Sequence, residues 1–177
     1  TTEEANAPVL TGLVESRTYY VLYDDDGNQI IGDNIKNDGS NMPANWYSYR
    51  DSKWANIVVT DGQVVGGQIQ NATTTNYLVW IPRYEYKILS GEHTSTAGEI
   101  DVQFINTSVT TENKEGYKIH PAFTKNLQLG GWDSEIPGIW VAKYEMSMEE
   151  TTDSGRTWKN SESTSGTGNK AISATVR

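Results

Sequence analysis

Tyr77-Leu78-Val79-Trp80-Ile81-Pro82-Arg83-Tyr84-Glu85-Tyr86-Lys87-Ile88 is the stretch on which the fold class turns. Its first five residues form the most apolar run of the chain. A continuous run this short fits a β-strand covered on both faces. Pro82 carries no N–H to donate to a ladder, so it marks a bulge or a sheet edge. From Tyr84 to Ile88 the pattern alternates, as a pleated strand requires when its two faces meet different surroundings.

The same signature recurs outward along the chain. Arg17 to Tyr23 is rich in aromatic and β-branched residues, which suit a pleated, half-buried surface. Asp24-Asp25-Asp26-Gly27-Asn28 follows, then Ile30-Ile31, and an Asp-Gly between such runs signals a hairpin. Trp46-Tyr47-Ser48-Tyr49 and Trp54 to Val59 read as two strands around a polar turn at Arg50 to Lys53; a helix is the runner-up, disfavoured by the β-branched run from Ile57 to Thr60. Asp61-Gly62, Gly66-Gly67 and Gly130-Gly131 mark turns rather than phosphate loops. Ile100, Val102 and Phe104 alternate with Asp101 and Gln103, Gly116 to Ile119 is a short strand ending at His120-Pro121, and Gly138 to Met146 reads as one long strand.

Composition agrees. The 177 residues hold six Trp and ten Tyr against two Phe, with 36% hydrophobic residues overall and a mean hydropathy of −0.61. A disordered chain is poor in aromatics. Large amphipathic rings bury much area per residue, while the abundant Ser, Thr and Asn compete with helix formation. The expectation is a mostly-β protein: an antiparallel, sandwich-like domain with long loops, few helices and a thin core. Lys and Arg number 14 and Asp and Glu 23, a net charge of −9. That balance argues against a nucleic-acid partner, which needs clustered positive charge. A membrane-spanning helix needs about 20 apolar residues, so no membrane insertion of this chain is expected. The chain has no cysteine, so disulfides, thiolate metal sites and cysteine nucleophiles drop out.

Three regions are expected. Residues 1–8 read as a flexible or docking arm and residues 9–148 as the β-rich domain. In residues 149–177, Ser, Thr, Gly and Asn supply 16 of 29 positions. Such a segment buries too little apolar surface to offset its own ordering entropy. It reads as a tail, or as a segment exchanged with another copy, with Val9, Leu10, Ile172 and Val176 as the candidate assembly strands.

Val79-Trp80-Ile81-Pro82-Arg83-Tyr84-Glu85 is echoed 60 residues later by Ile139-Trp140-Val141-Ala142-Lys143-Tyr144-Glu145. Two strands in equivalent sheet environments explain the echo more simply than a duplicated ligand site. Arg83 and Glu85, with Lys143 and Glu145, would then form a cross-strand charge ladder. In order along the chain, Asn45-Trp46-Tyr47, Lys53-Trp54-Ala55-Asn56, Val79 to Tyr84, Ile100 to Phe104, Tyr117 to Phe123 and Gly138 to Glu145 resemble a set of motifs found in surface and phage-associated proteins of Gram-positive gut bacteria. The last motif is also similar to the opening strand of the sulfatase-modifying-factor domain, which has a C-type-lectin-like fold. The resemblance covers roughly residues 45–147 and implies a partial lectin-like fold, with further chain completing the domain in those relatives. The formylglycine-generating enzymes of that superfamily use cysteines, so their activity is not implied here, and no family site residue carries over.

Candidate sites follow from residue type. Trp46, Tyr47, Tyr49, Trp54 and Trp132 suit a ligand-binding platform, because exposed rings stack on the apolar face of a sugar or peptide; the competing expectation is that they form the core. Asp24, Asp26 and Asn28 present oxygens at i, i+2 and i+4, which suits Ca²⁺. Gln29 and Ile35 stand where an EF-hand needs Gly and Glu, so a hairpin turn capped by its own Asp side chains is the stronger expectation. Apart from this weak calcium candidate no cofactor is implied. His93 and His120 are the two histidines; a packed or turn-capping role suits His120 better than catalysis, and no titratable cluster suggests an enzyme. Glu149, Glu150 and Asp153 read as a solvated acidic turn. Asn71-Ala72-Thr73 and Asn106-Thr107-Ser108 match glycosylation sequons. The functional expectation is a non-enzymatic module for binding or adhesion, extracellular or on a cell or virion surface, whose partners are a surface glycan or protein or other copies of itself. The alternative is a structural subunit of a filament, pilus or phage appendage assembled by strand exchange.

Overall fold

The structure is a computed structural model that describes residues 5–91, 93, 95–144, 146–150, 156–160 and 171–172. The fold is mostly β and antiparallel, with no helix of seven residues or more among the described residues. The strands are β1 (Thr18–Tyr23), β2 (Gln29–Asn34), β3 (Asn56–Thr60), β4 (Gln63–Val65), β5 (Gln68–Gln70), β6 (Thr75–Pro82), β7 (Tyr84–Ser90), β8 (Glu99–Phe104), β9 (Lys118–Ile119), β10 (Gly138–Ala142), β11 (Met146–Glu150), β12 (Arg156–Asn160) and β13 (Ala171–Ile172). They divide between two compact units. One comprises Leu10–Val79 and Val141–Arg177, the other Thr1–Val9 and Trp80–Trp140.

β1, β2, β3 and the first five residues of β6 belong to the first unit, in a sheet of order β10-β6-β3-β1-β2. The β1–β2 hairpin forms where Asp-Gly signals it: Gly27 takes the left-handed φ of +81°, and Asp24 N–H donates to Asn28 O at 3.0 Å. The strand closed on both faces is β3, in the middle of the sheet, rather than the Tyr77 run. In β3 only Val59 keeps substantial exposure, whereas β6 buries Tyr77 and leaves Leu78 and Val79 half-buried. The core packs Val21, Ile31, Val58 and Tyr77 together. β4 and β5 form a small hairpin, and β11 lies between β12 and β13.

Trp46 to Tyr49 is not the strand expected. Trp46 N–H donates to Pro43 O at 3.1 Å, which turns the chain there and swings the indole into the core. Only Ser48 and Lys53 form a bridge, closing a tight turn in which Ser52 has a φ of 56°. The expected long strand from Gly138 to Met146 is likewise two: β10 ends at Ala142, the chain bends at Lys143 and Tyr144, and β11 begins at Met146. Lys143 N–H still donates to Tyr77 O at 2.9 Å, while the Tyr144 ring packs edge-on against Tyr77. The side chain of Lys143 is turned to Tyr23, bonding its hydroxyl.

The second unit holds the sheet β8-β7-β9. Its core is unusual in burying a cation and an anion. Arg83 and Glu85, members of the expected cross-strand charge ladder, are fully buried. Burying ions demands partners, since desolvation is costly. Arg83 donates through Nη1 to Phe123 O at 2.7 Å and through Nη2 to Val109 O at 2.8 Å. Nη2 also meets the carboxylate of Glu135 at 2.5 Å. Glu85 accepts from Asn113 N–H at 3.0 Å. Glu145 lies outside the described residues.

The segment ahead of the first unit is docked on its own chain. Asn6 donates to Ile105 O at 2.9 Å, the Trp80 indole donates to Asn6 O at 3.0 Å, and the Trp140 indole donates to Val9 O at 2.8 Å. Val9 and Leu10 lie in no strand; the Val9 carbonyl serves the Trp140 indole, and Leu10 O accepts from Leu13 N–H. Ile172 does lie in a strand, β13, opposite Met146 of β11. Val176 is outside the described residues, as is Asp153.

Candidate functional site

Four of the five aromatic candidates come together, all in the first unit. Trp46 is 2% exposed and makes an edge-on contact with Tyr20 of β1 at 4.8 Å between ring centroids. From Trp46 the rings continue to Tyr47 at 5.8 Å, from Tyr47 to Tyr49 at 5.1 Å, and from Tyr49 to Trp54 at 6.1 Å. Edge-on and tilted contacts at these separations are the favourable ones for rings with a negative face and a positive rim. The row therefore starts in the core and ends at the surface, where Trp54 is 40% exposed and Tyr47 and Tyr49 are half-buried.

Local chemistry fixes the row at both ends. The Trp46 indole donates to Asn56 O at 2.8 Å, anchoring it to β3. Tyr20 donates its hydroxyl to Asn41 at 3.2 Å, and burial pushes that hydroxyl above its ordinary pKa. The tight turn that carries Tyr49 and Trp54 is held by Ser48, whose hydroxyl donates to Asp51 at 2.7 Å. That bond, helped by the charge of Arg50, holds the Asp51 carboxyl below the ordinary carboxylate range. The turn thus holds the half-buried Tyr49 ring and the 40% exposed Trp54 ring in fixed places.

Trp132 belongs to the other unit. Its indole donates to Ala122 O at 2.8 Å, and the residue is 48% exposed. His120 does cap a turn: its Nδ1 accepts from Ala122 N–H at 3.2 Å at the start of a 3-10 turn, Pro121–Phe123. The ring lies among Tyr84, Tyr86 and Phe123, and burial lowers its pKa.

At the acidic hairpin both carboxylate oxygens of Asp24 accept from Asn28, one from its N–H at 2.7 Å and one from its side-chain amide at 3.0 Å. Those bonds lower the Asp24 pKa. Asp24 and Asn28 thus engage each other, as a self-capped turn does, and among the described residues no group of three acidic or histidine side chains is arranged to hold a metal. Asn71, in the first sequon, is exposed and has a φ of 56°, while Asn106 accepts from Ser108 N–H at 3.0 Å.

The sequence reading did not single out Tyr20, which joins the row from β1, and it named Arg83 only as a member of a charge ladder, not as a buried cation. Tyr20 is hidden by register: only the pairing of β1 with β3 brings it beside Trp46. Arg83 carried a signal, a cation separated from the most apolar run only by Pro82. No protein-family model matches the chain, and neither does any curated protein or solved structure. Among the described residues no helix is long and apolar enough to cross a membrane.

Proposed function

We propose that the chain is a non-enzymatic binding module displayed outside the cell or on a virion, and that the exposed end of the aromatic row is its contact surface. The observation that carries the reading is the half-exposed Trp54, continued inward through Tyr49 and Tyr47 to the buried Trp46. Rings of this kind give a ligand an apolar face to stack on, with hydroxyl and indole groups at the rim. A surface glycan, or a peptide with an aromatic or proline face, fits that chemistry. The acidic composition and the resemblance to surface and phage-associated proteins support the same reading.

The test is a glycan array and a cell-binding assay on the full chain, with Trp54→Ala and Trp132→Ala compared. Trp54→Ala is expected to reduce binding at least tenfold while leaving the thermal midpoint within the few degrees typical of an exposed substitution. Binding by the unmodified chain that survives Trp54→Ala and Tyr49→Ala together would remove the row from the function.

A second reading, a structural subunit assembled by strand exchange, is favoured by one observation. β13 is only two residues long and pairs with β11 across a long stretch of chain, and a strand so short is easily supplied by a neighbouring copy. Electron microscopy at high protein concentration, comparing the full chain with one ending after Asn160, distinguishes the two: filaments only in the full chain support exchange.

A further inference from the structure

We propose that Asp26, at the tip of the β1–β2 hairpin, is a site of spontaneous isomerisation: it closes on the Gly27 nitrogen to a succinimide, reopens as isoaspartate, and so loosens the hairpin as the protein ages. The inference is independent of the aromatic row and of what that row binds.

The sequence holds three Asp-Gly pairs, Asp26-Gly27, Asp38-Gly39 and Asp61-Gly62. A glycine has no side chain to hinder its nitrogen from reaching the carboxyl before it, so the sequence ranks the three equally. All three aspartates are exposed. In all three pairs the glycine N–H is engaged. Gly27 N–H donates to Asp24 O at 3.0 Å and Gly39 N–H to Lys36 O at 2.9 Å, while Gly62 N–H donates to the Thr60 hydroxyl at 3.0 Å. Neither exposure nor the nucleophile separates the pairs. What separates them is the carboxyl.

Asp61 is held by three donors. One oxygen accepts from Thr73 N–H at 2.9 Å and Thr74 N–H at 2.8 Å, the other from the Thr73 hydroxyl. Asp38 accepts from Ser40 N–H at 2.9 Å. These bonds, the Ser40 N–H foremost at Asp38 and the Thr73 hydroxyl at Asp61, hold both carboxyls below the ordinary carboxylate range. They keep the groups ionised, and a carboxylate is a poorer electrophile than its acid. Either carboxyl must give up those bonds before it can join its glycine nitrogen. Among the described residues no hydrogen bond or ion pair reaches the Asp26 carboxylate. Space agrees: a side-chain carbon added at Gly27 would meet nothing within 4 Å, whereas one at Gly62 would meet Ala72 at 2.7 Å and Gln70 O at 2.8 Å.

The chemistry needs no reagent but water. The Gly27 nitrogen bonds to Cγ of Asp26, and its proton leaves with one carboxyl oxygen as water. Water then adds back to the five-membered imide. Attack at Cγ restores aspartate. Attack at the main-chain carbonyl carbon leaves Gly27 joined through Cγ, with the carboxylate on Cα. Mass and charge are unchanged, but the turn is longer by one main-chain carbon. The effect falls on named bonds. The imide nitrogen carries no hydrogen, so the bond from Gly27 to Asp24 O is lost at that stage. The added carbon then shifts Gly27, whose left-handed φ of +81° the turn requires. It also draws Asn28 away from Asp24, which accepts its N–H at 2.7 Å and its side-chain amide at 3.0 Å. Those bonds close the hairpin end where Tyr23 lies opposite Gln29.

The experiment ages the full chain at neutral pH, folded and in guanidinium chloride. Isoaspartate at each pair is read by peptide mapping with electron-transfer fragmentation, which distinguishes the two isomers. In the folded chain Asp26 is expected to accumulate at least fivefold more isoaspartate than Asp38 or Asp61. In guanidinium the three are expected to converge, because only the shared Asp-Gly sequence remains. The aged folded chain is expected to unfold at a lower urea concentration than the fresh one. Asp26→Glu keeps the charge and closes to a six-membered imide far more slowly; it is expected to match the fresh unmodified chain and to lose at least half of the drop on ageing. Three results would overturn the proposal: Asp26 level with or behind Asp38 or Asp61 in the folded chain; the same ratios in guanidinium, which would assign the selectivity to sequence; or a urea midpoint that falls equally on ageing in Asp26→Glu, which would separate the hairpin from the modification.

Discussion

Arg83 concentrates more of the second unit's specificity than any apolar residue there. Its guanidinium gathers Phe123 O, Val109 O and Glu135, three points far apart in sequence, and its own N–H donates to Pro137 O at 2.8 Å. A planar donor fork of this kind fixes positions as well as supplying bonds. Removing one partner of a buried ion pair costs more than the pair is worth, because a charge is left without compensation. Glu135→Gln keeps the shape, and the carboxamide can still accept from Nη2, but it leaves the guanidinium uncompensated. It is expected to lower stability by about 3 kcal/mol, read by urea unfolding. Arg83→Met together with Glu135→Leu is not expected to recover that loss, since it also leaves Phe123 O and Val109 O without their donor. If Glu135→Gln unfolds at the same urea concentration as the unmodified chain, the ion pair contributes nothing to stability.

At the scale of elements, what was legible depended on how local the cause is. The β1–β2 hairpin was legible because Asp24, Gly27 and Asn28 make their turn among themselves. β7 and β8 were legible as strands from their alternation of period two, although burial does not follow it, Glu85 being buried while Ile100 and Val102 are exposed; the capping of the Pro121 turn was legible from His120-Pro121. The bend at Lys143 and the loss of the strand at Trp46 were not, because each is set by partners distant in sequence: Tyr23 and Tyr77 for the first, Asn56 for the second. The aromatic row was half legible. Its members were named from composition, but that Trp46 is core and Trp54 is surface depends on the turn after Pro43. The cap also carries a pH dependence. His120 accepts a hydrogen bond through Nδ1 and sits among three rings, so the folded state disfavours the imidazolium and the pKa falls below that of the unfolded chain. The unfolded state therefore binds the proton more readily. The cap's contribution is complete above the unfolded pKa of about 6.5. It is lost as the pH falls through that value toward the lowered folded one. Thermal midpoints measured between pH 7.5 and 5 are expected to fall, and to fall less in His120→Asn, which caps without titrating. Parallel curves for the two proteins would assign the acid sensitivity to other groups.

For the molecule as a whole, the chain crosses between its two units inside β6 and inside β10, after Val79 and after Trp140, as well as after Val9. The second unit is thus assembled from a short leading segment and a long internal one, and the leading segment is built in. Asn6 and Pro8 are buried, and Asn6 O is the acceptor for the buried Trp80 indole. Deleting residues 1–9 strands that donor, a loss of about 1–3 kcal/mol for the one group. It is expected to lower the urea midpoint and to shift tryptophan fluorescence in the native baseline. An unchanged midpoint would mean that the segment is dispensable.

The docked segment also has a consequence in time. Asn6 waits for Ile105, 99 residues later, and Val9 for Trp140, 131 residues later. At roughly 5–20 residues per second, the ribosome makes that last partner roughly 7–26 s after Val9. Through that interval the hairpin of β1 and β2 and the strand β3 can already have met, all of them encoded before Trp80. Biogenesis would then run in two stages, with the unit that begins first closing last, and a chain stalled before Trp140 would present its leading residues to chaperones and proteases.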